Sequence, residues 1–223
     1  MAEGAATRVR ATLAILAKAP IPGFAKTRLA PLLGAEGAAA LHAVLLERTL
    51  RTALASGFAS VSLWCAPSRD APFFRALAAR GEVHLHDQPE GDLGDRMLAA
   101  LEAHLGDGPV VLVGTDCPQL GAEHLGRIAA ALEGGADAAI VPAEDGGYAA
   151  LGLRRAHPSV FAGVPWGGPD VLAETRERLR RLGWTVHEQP ALRDVDLPGD
   201  VAWLLASGLL DAGERARLVP YLP

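Results

Sequence analysis

Five short segments of this chain hold the residue types from which phosphate and divalent-cation chemistry is built. The first, LAKAPIPGFAKTRLAP at 16–31, contains Lys18, Lys26 and Arg28, with Gly23 and Thr27 beside them. Lys18 and Lys26 are the only lysines in the chain; every other basic residue is arginine. Lysine is a compact point charge that suits a phosphate, whereas the planar arginine fork suits bidentate partners. The prolines and glycine bar a regular helix and can hold such a loop open. The nearest phosphate-binding pattern, GxxxxGK[ST], fails, because Ala25 stands before Lys26-Thr27 where glycine is required. Pro31 is also expected to interrupt the helix that a P-loop needs at once. The segment reads as a phosphate cradle without the P-loop glycines, against the plainer alternative of a solvated loop.

The other segments are acidic or glycine-rich. Asp116, in Thr115-Asp116-Cys117-Pro118, follows the apolar run VVLVG at 110–114. A carboxylate at a strand tip is a hard oxygen ligand for Mg²⁺ or Mn²⁺, or equally a helix N-cap. In Asp194-Val195-Asp196-Leu197-Pro198-Gly199-Asp200, strand-like alternation puts Asp194 and Asp196 on one side, able to meet a metal held by Asp116. Glu144-Asp145-Gly146-Gly147-Tyr148 joins two candidate general bases to glycines that allow close backbone approach, or simply make a turn. Gly91-Asp92-Leu93-Gly94-Asp95-Arg96-Met97 leads into an expected helix, Met97–Leu105. Gly91, Asp92, Gly94 and Arg96 are thus candidates for a nucleotide or anion contact, and an ordinary capped turn explains them almost as well.

These segments need a frame to bring them together. Apolar runs of strand length recur at Ala11–Leu16, Val61–Ala66, Val83–His86, Val110–Gly114, Ala138–Val141, Ala149–Leu153 and Thr185–Glu188. Helical spacing fills most of the gaps. Leu125, Ile128, Ala129 and Leu132 line one face of 123–132, and Leu46, Leu50 and Leu54 line 36–56. Asp170–Leu182 sets leucines opposite the charged run ETRERLRR, and Pro198–Ala206 and Asp211–Val219 read as two short helices. Strands alternating with helices predict an α/β fold, a mostly parallel sheet covered on both faces, with ligands at the carboxyl ends of the strands. A single domain spanning 1–223, with a flexible N-terminus at 1–10, is expected.

Composition narrows the function classes. The chain has 223 residues, half of them hydrophobic, and a formal net charge of −5, which argues against nucleic acid as a partner. Cys65 and Cys117 match no zinc or CxxC spacing, so a reducing cytoplasm is the simplest setting. Arg8 and Arg10 before ATLAILAKA mimic a signal peptide, but the short apolar run fits a buried first strand better. No apolar run approaches the ~20 residues of a membrane span.

Taken in order, LAKAPIPGFAKTRLAP, GDLGDRM, VGTDCP, PAEDGGYAALGL and RDVDLPGD resemble the bacterial DUF2064 family over roughly residues 12–205. That family is grouped with A-type glycosyltransferases and linked with arsenosugar and radical-enzyme gene clusters. The resemblance implies the nucleotide-diphospho-sugar transferase fold, a three-layer α/β/α sandwich with a mixed, mostly parallel sheet. The segment KTRLAP is similar to one in 2-phospholactate guanylyltransferases, which share the fold. The resemblance implies that Lys18, Lys26 and Arg28 contact phosphates, and that Asp116, with Asp196 and Asp194, holds Mg²⁺ or Mn²⁺. It further implies a substrate wall of Gly146, Gly147, Tyr148 and Trp166. One departure stands in Pro165-Trp166-Gly167-Gly168-Pro169, where Gly168 replaces the family's usual threonine and puts the acceptor preference in question.

The expected function is a metal-dependent transferase of a nucleotide-activated donor. A glycosyltransferase acting on a nucleotide sugar and a small-molecule acceptor comes first, with Asp145 or Glu144 as base. A nucleotidyltransferase that releases pyrophosphate is the alternative, and a non-catalytic nucleotide-binding domain the third reading.

Overall fold

The computed structural model describes residues 9–81 and 83–223. Seven strands form one sheet in the order β3-β2-β1-β4-β6-β5-β7. They are β1 (Val9–Lys18), β2 (Phe58–Ala66), β3 (His84–Asp87), β4 (Val110–Val113), β5 (Ala138–Pro142), β6 (Tyr148–Leu153) and β7 (Val186–Glu188). All neighbours run parallel except β6, which is antiparallel to both β4 and β5. The sheet is therefore mixed and mostly parallel, and each expected strand is present. Of the expected flexible 1–10 segment, residues 1–8 lie outside the described residues, whereas Val9 and Arg10 belong to β1.

Both faces of the sheet are buried, which is why its central strands are apolar without alternation. Leu13, Ile15 and Ala17 of β1 and Val111 and Val113 of β4 join one cluster. That cluster is completed by α1 (Ala30–Ala55), α2 (Pro72–Ala78) and α4 (Ala122–Glu133). Ala14 of β1 and Val110 and Leu112 of β4 face the other way, against α3 (Leu93–Glu102) and α5 (Val171–Arg181). A third cluster joins α1 to α6 (Pro198–Ala206) and α7 (Ala212–Leu218). The helix α2 has no expected counterpart in the sequence pattern.

Two details differ from expectation. Lys18 closes β1 and does not lie in a loop. Pro31 does not interrupt α1; it occupies the first turn, where a missing N–H costs nothing. The break comes instead at Gly34, whose φ of 71° and ψ of 168° are non-helical. The run through α1 is long and apolar enough by composition to cross a membrane, yet its buried residues pack into the first and third clusters.

Candidate functional site

A cleft of about 580 Å³ opens at the carboxyl ends of β1 and β4, where a mostly parallel sheet places its ligands. Its cationic wall is the end of β1 and the segment after it. Lys18, Lys26, Thr27 and Arg28 line it, whereas Gly23 only shapes the turn beside them with φ 77°. Residues 27–29 form one 3-10 turn that leads directly into α1. The opposite wall is acidic. Asp116 follows β4, and Asp194 and Asp196 flank Val195, which is wholly buried, so alternation does aim both carboxylates into the cleft. The backbone N–H of Val195 donates to the Asp116 carbonyl at 2.9 Å, stitching these two acidic segments together.

The two walls are joined by Lys26. Its side chain is only 3% exposed, and its Nζ lies 2.6 Å from Asp116 Oδ1 and 3.1 Å from Asp196 Oδ1. It also donates to the Val195 carbonyl at 2.6 Å. Arg28 Nη1 reaches the other oxygen of Asp196 at 2.9 Å. Burial alone would lower the Lys26 pKa, but Asp116 and Asp196 outweigh it and hold the ammonium above its ordinary value. Partial burial would raise Asp116, whose side chain is half exposed, but Lys26 more than offsets that, so its carboxyl sits below the usual range. Lys26 is the only non-glycine among the described residues with a positive φ, 50°. That conformation costs of order 1–2 kcal/mol in a residue with a Cβ, sustained here by the three polar contacts of the side chain.

Those bonds alter what each expected residue can do. An ammonium has three donors; Lys26 donates to the Val195 carbonyl and to Asp196, and lies in ion-pair contact with Asp116. Lys18, exposed and 5.7 Å from the Phe24 ring centroid, forms no ion pair among the described residues and remains free for an anion. Asp194 has no cation partner there either; burial first, then Asp145, raises its pKa. Asp116, Asp196 and Asp194 do not make a metal cage as folded. Lys26 stands between the first two, and no group of three or more His, Cys, Asp or Glu among the described residues is placed to hold a metal.

A third wall carries the substrate candidates. Asp145, Gly147, Tyr148 and Trp166 line the cleft, together with Gly167 and Gly168, so the departure at Gly168 falls on the site itself. Asp145 accepts from the Gly147 N–H at 2.8 Å. Glu144 and Gly146 do not line the cleft. Gly146 instead packs against Pro169, with φ 91° and no room for a Cβ. In the 91–97 segment, only Leu93 and Arg96 reach the cleft. Asp92 caps α3 in a reciprocal box with Asp95, at 3.0 and 2.9 Å. Gly94 leaves room for the Trp166 ring, and Gly91, at φ 115°, for the Asp95 side chain. The capped-turn reading holds for those three residues.

Sequence reasoning missed two lining residues. His42, from the middle of α1, bonds the Lys18 carbonyl at 2.9 Å, and burial lowers its pKa. Gln88, beyond β3, donates its amide to the carbonyls of Ala17 and Trp64 at 3.2 and 2.8 Å, bracing β1 and β2 at the rim. Neither carries a local pattern. Only the apolar run that hides His42 and the strand end before Gln88 could have drawn attention to them.

A family model described as "Uncharacterized protein conserved in bacteria (DUF2064)" matches residues 49–168. A crystal structure from Desulfovibrio desulfuricans G20, of a protein provisionally described as a nucleotide-diphospho-sugar transferase, is 31% identical. It superposes with a TM-score of 0.82 over 94% of this chain and 93% of its own. A nucleotidyl transferase from Methanothermobacter thermautotrophicus shares the fold at 15% identity, TM-score 0.57, over 88% and 96%. So does glucosyl-3-phosphoglycerate synthase from Mycobacterium tuberculosis, solved with Mn²⁺, UDP and glucosyl-3-phosphoglycerate, at 12% identity, TM-score 0.54, over 93% and 83%. No curated protein sequence matches.

Proposed function

The chain belongs to the DUF2064 family, and from that premise we propose that it transfers a glycosyl group from a nucleotide sugar to a small-molecule acceptor. It is a transferase of the nucleotide-diphospho-sugar transferase fold. The observation that supports the glycosyl reading is the cleft's division into a cationic edge and a separate wall bearing Asp145 and Trp166.

In this reading the donor's diphosphate lies against Lys18, with Arg28 and Arg96 at its flanks. The acceptor lies over Trp166 and the Gly167-Gly168 turn. The acceptor hydroxyl attacks the anomeric carbon while its proton passes to Asp145. The bond from that carbon to the diphosphate oxygen breaks, and the negative charge that develops there is stabilised by the Lys18 ammonium. Asp145 has this role over Glu144 because it alone of the two faces the cleft. The fold implies a divalent cation, but the carboxylates expected to hold it are paired with Lys26, so each step rests on residues of the chain alone.

A thermal-shift panel of nucleoside triphosphates and nucleotide sugars, each with and without Mg²⁺ or Mn²⁺, tests the reading. Stabilisation by nucleotide sugars, and release of a nucleoside diphosphate on turnover, is the expected result. Stabilisation by triphosphates only, with pyrophosphate release, would replace it with the nucleotidyl transfer common among proteins of this fold. Stabilisation without release of either product would leave the non-catalytic nucleotide-binding domain.

A further inference from the structure

Asp116 and Asp196 bring two negative charges to the junction of the walls, and the chain itself supplies the matching cations. Lys26 Nζ touches one oxygen of each carboxylate, at 2.6 and 3.1 Å, and Arg28 takes the second oxygen of Asp196 at 2.9 Å. Lys26 also donates to the Val195 carbonyl at 2.6 Å. A strained left-handed backbone at residue 26 accompanies this placement. Buried at 3% exposure and held by two carboxylates and a carbonyl, this ammonium faces the acids of its own chain.

We infer that Lys26 is the resident cation of the Asp116–Asp196 pair, so that a divalent metal enters between those carboxylates only by displacing the ammonium. The physical basis is charge and tethering. With Lys26 and Arg28 in place this pair is electrically balanced and offers a second cation no net charge of its own; the unpaired charge of the wall lies beside it, on Asp194 and Asp145. A tethered ammonium also competes at a high effective concentration, which free metal must overcome. The inference concerns the cleft of the proposed function and deepens that reading, because it sets the condition under which the family's expected metal could join the donor.

The test needs no nucleotide, so its failure is distinct from failure of the transferase reading. Mn²⁺ is titrated into the intact protein and followed by electron paramagnetic resonance. Lys26→Met should bind Mn²⁺ at least tenfold more tightly than the wild type, and Asp116→Asn in the same background should abolish the gain. A variant that binds no tighter than the wild type overturns the inference. Lys26→Gln replaces it if circular dichroism shows the methionine variant unfolded. A second measurement uses the wild type alone. Lys18 and Lys26 are the only lysines, so amine acylation read by mass spectrometry reports on each separately. Exposed Lys18 should react and buried Lys26 should not, until Mn²⁺ occupancy exposes Lys26. Mn²⁺ bound through Asp116 with Lys26 still protected would sink the inference.

Discussion

At the scale of single residues, neighbours decide what identical side chains can do. Lys18 and Lys26 lie eight positions apart, yet one ammonium is free and the other is buried against the acidic wall. Asp145 and Glu144 are adjacent, yet only Asp145 borders the cleft. Asp145→Asn should therefore lower kcat by about 10²–10⁴-fold, the usual contribution of a general base. Glu144→Gln should leave the rate within about twofold, on the same accounting for a group outside the transfer step. Steady-state rates with one donor and acceptor decide this; an equal loss in both variants would remove Asp145 from the role.

Among the elements, the loops that bear the site are held by backbone fit as much as by side chains. Gly146 meets the Pro169 carbonyl so closely that a Cβ would lie 2.0 Å from its oxygen, and its own carbonyl accepts from the Leu172 N–H at 2.8 Å. This seats the Asp145 turn on the loop that carries Trp166. Gly167 has a similar positive φ, 80°, but open space around it. Gly167→Ala should cost only the conformational penalty, about 1–2 kcal/mol. Gly146→Ala must also move backbone and should cost about 2 kcal/mol or more beyond that. Urea denaturation of both variants measures the difference, and equal costs would mean that the loop contact is loose. Likewise, α3 starts where it does because Asp92 and Asp95 cap it reciprocally, which turns Arg96 toward the cleft and leaves Asp92 with structural work.

Over the whole molecule, the acidic wall depends on the C-terminal helices. Asp196 lies just before α6, and α6 and α7 pack on α1, which itself begins beside Lys26 and Arg28. Glu214 pins this arrangement. Only 4% exposed, it pairs with Arg48 at 3.2 Å and with Arg51, both on α1, and closes the capping box of α7. Removing it opens the cap and leaves Arg48 with the Pro118 carbonyl alone. Glu214→Ala should cost about 2 kcal/mol, the sum expected for a lost cap and a partly exposed ion pair, and lower Tm by about 4–8 °C. Calorimetry checks the size. Hydrogen exchange should show faster opening of α6 and α7 than of the central strands, and uniform loosening would contradict their separate dependence on Glu214.

The sheet and most of its helices could be read along the chain because period and apolarity are local quantities. Continuous apolar runs such as Val110–Val113 mark strands buried on both faces, and leucines three and four apart mark helices that cover them. The short α2 escaped because seven residues hold too little period. The strand ends followed from the same patterns, so the general place of the site was legible, as were Lys18, Asp116, Asp145, Asp194, Asp196 and Trp166 on its walls. Pairing across the cleft was not legible. Which carboxylates Lys26 meets, some 90 and 170 residues away, depends on how β1, β4 and the segment before α6 converge, and no local spacing encodes it. Sequence alone determined that cations and acids stand at the strand ends of an α/β fold. The tertiary structure alone decided that one lysine is consumed in holding those walls together and the other left to face the cleft, because a charge spends its hydrogen bonds on whatever the fold brings nearest.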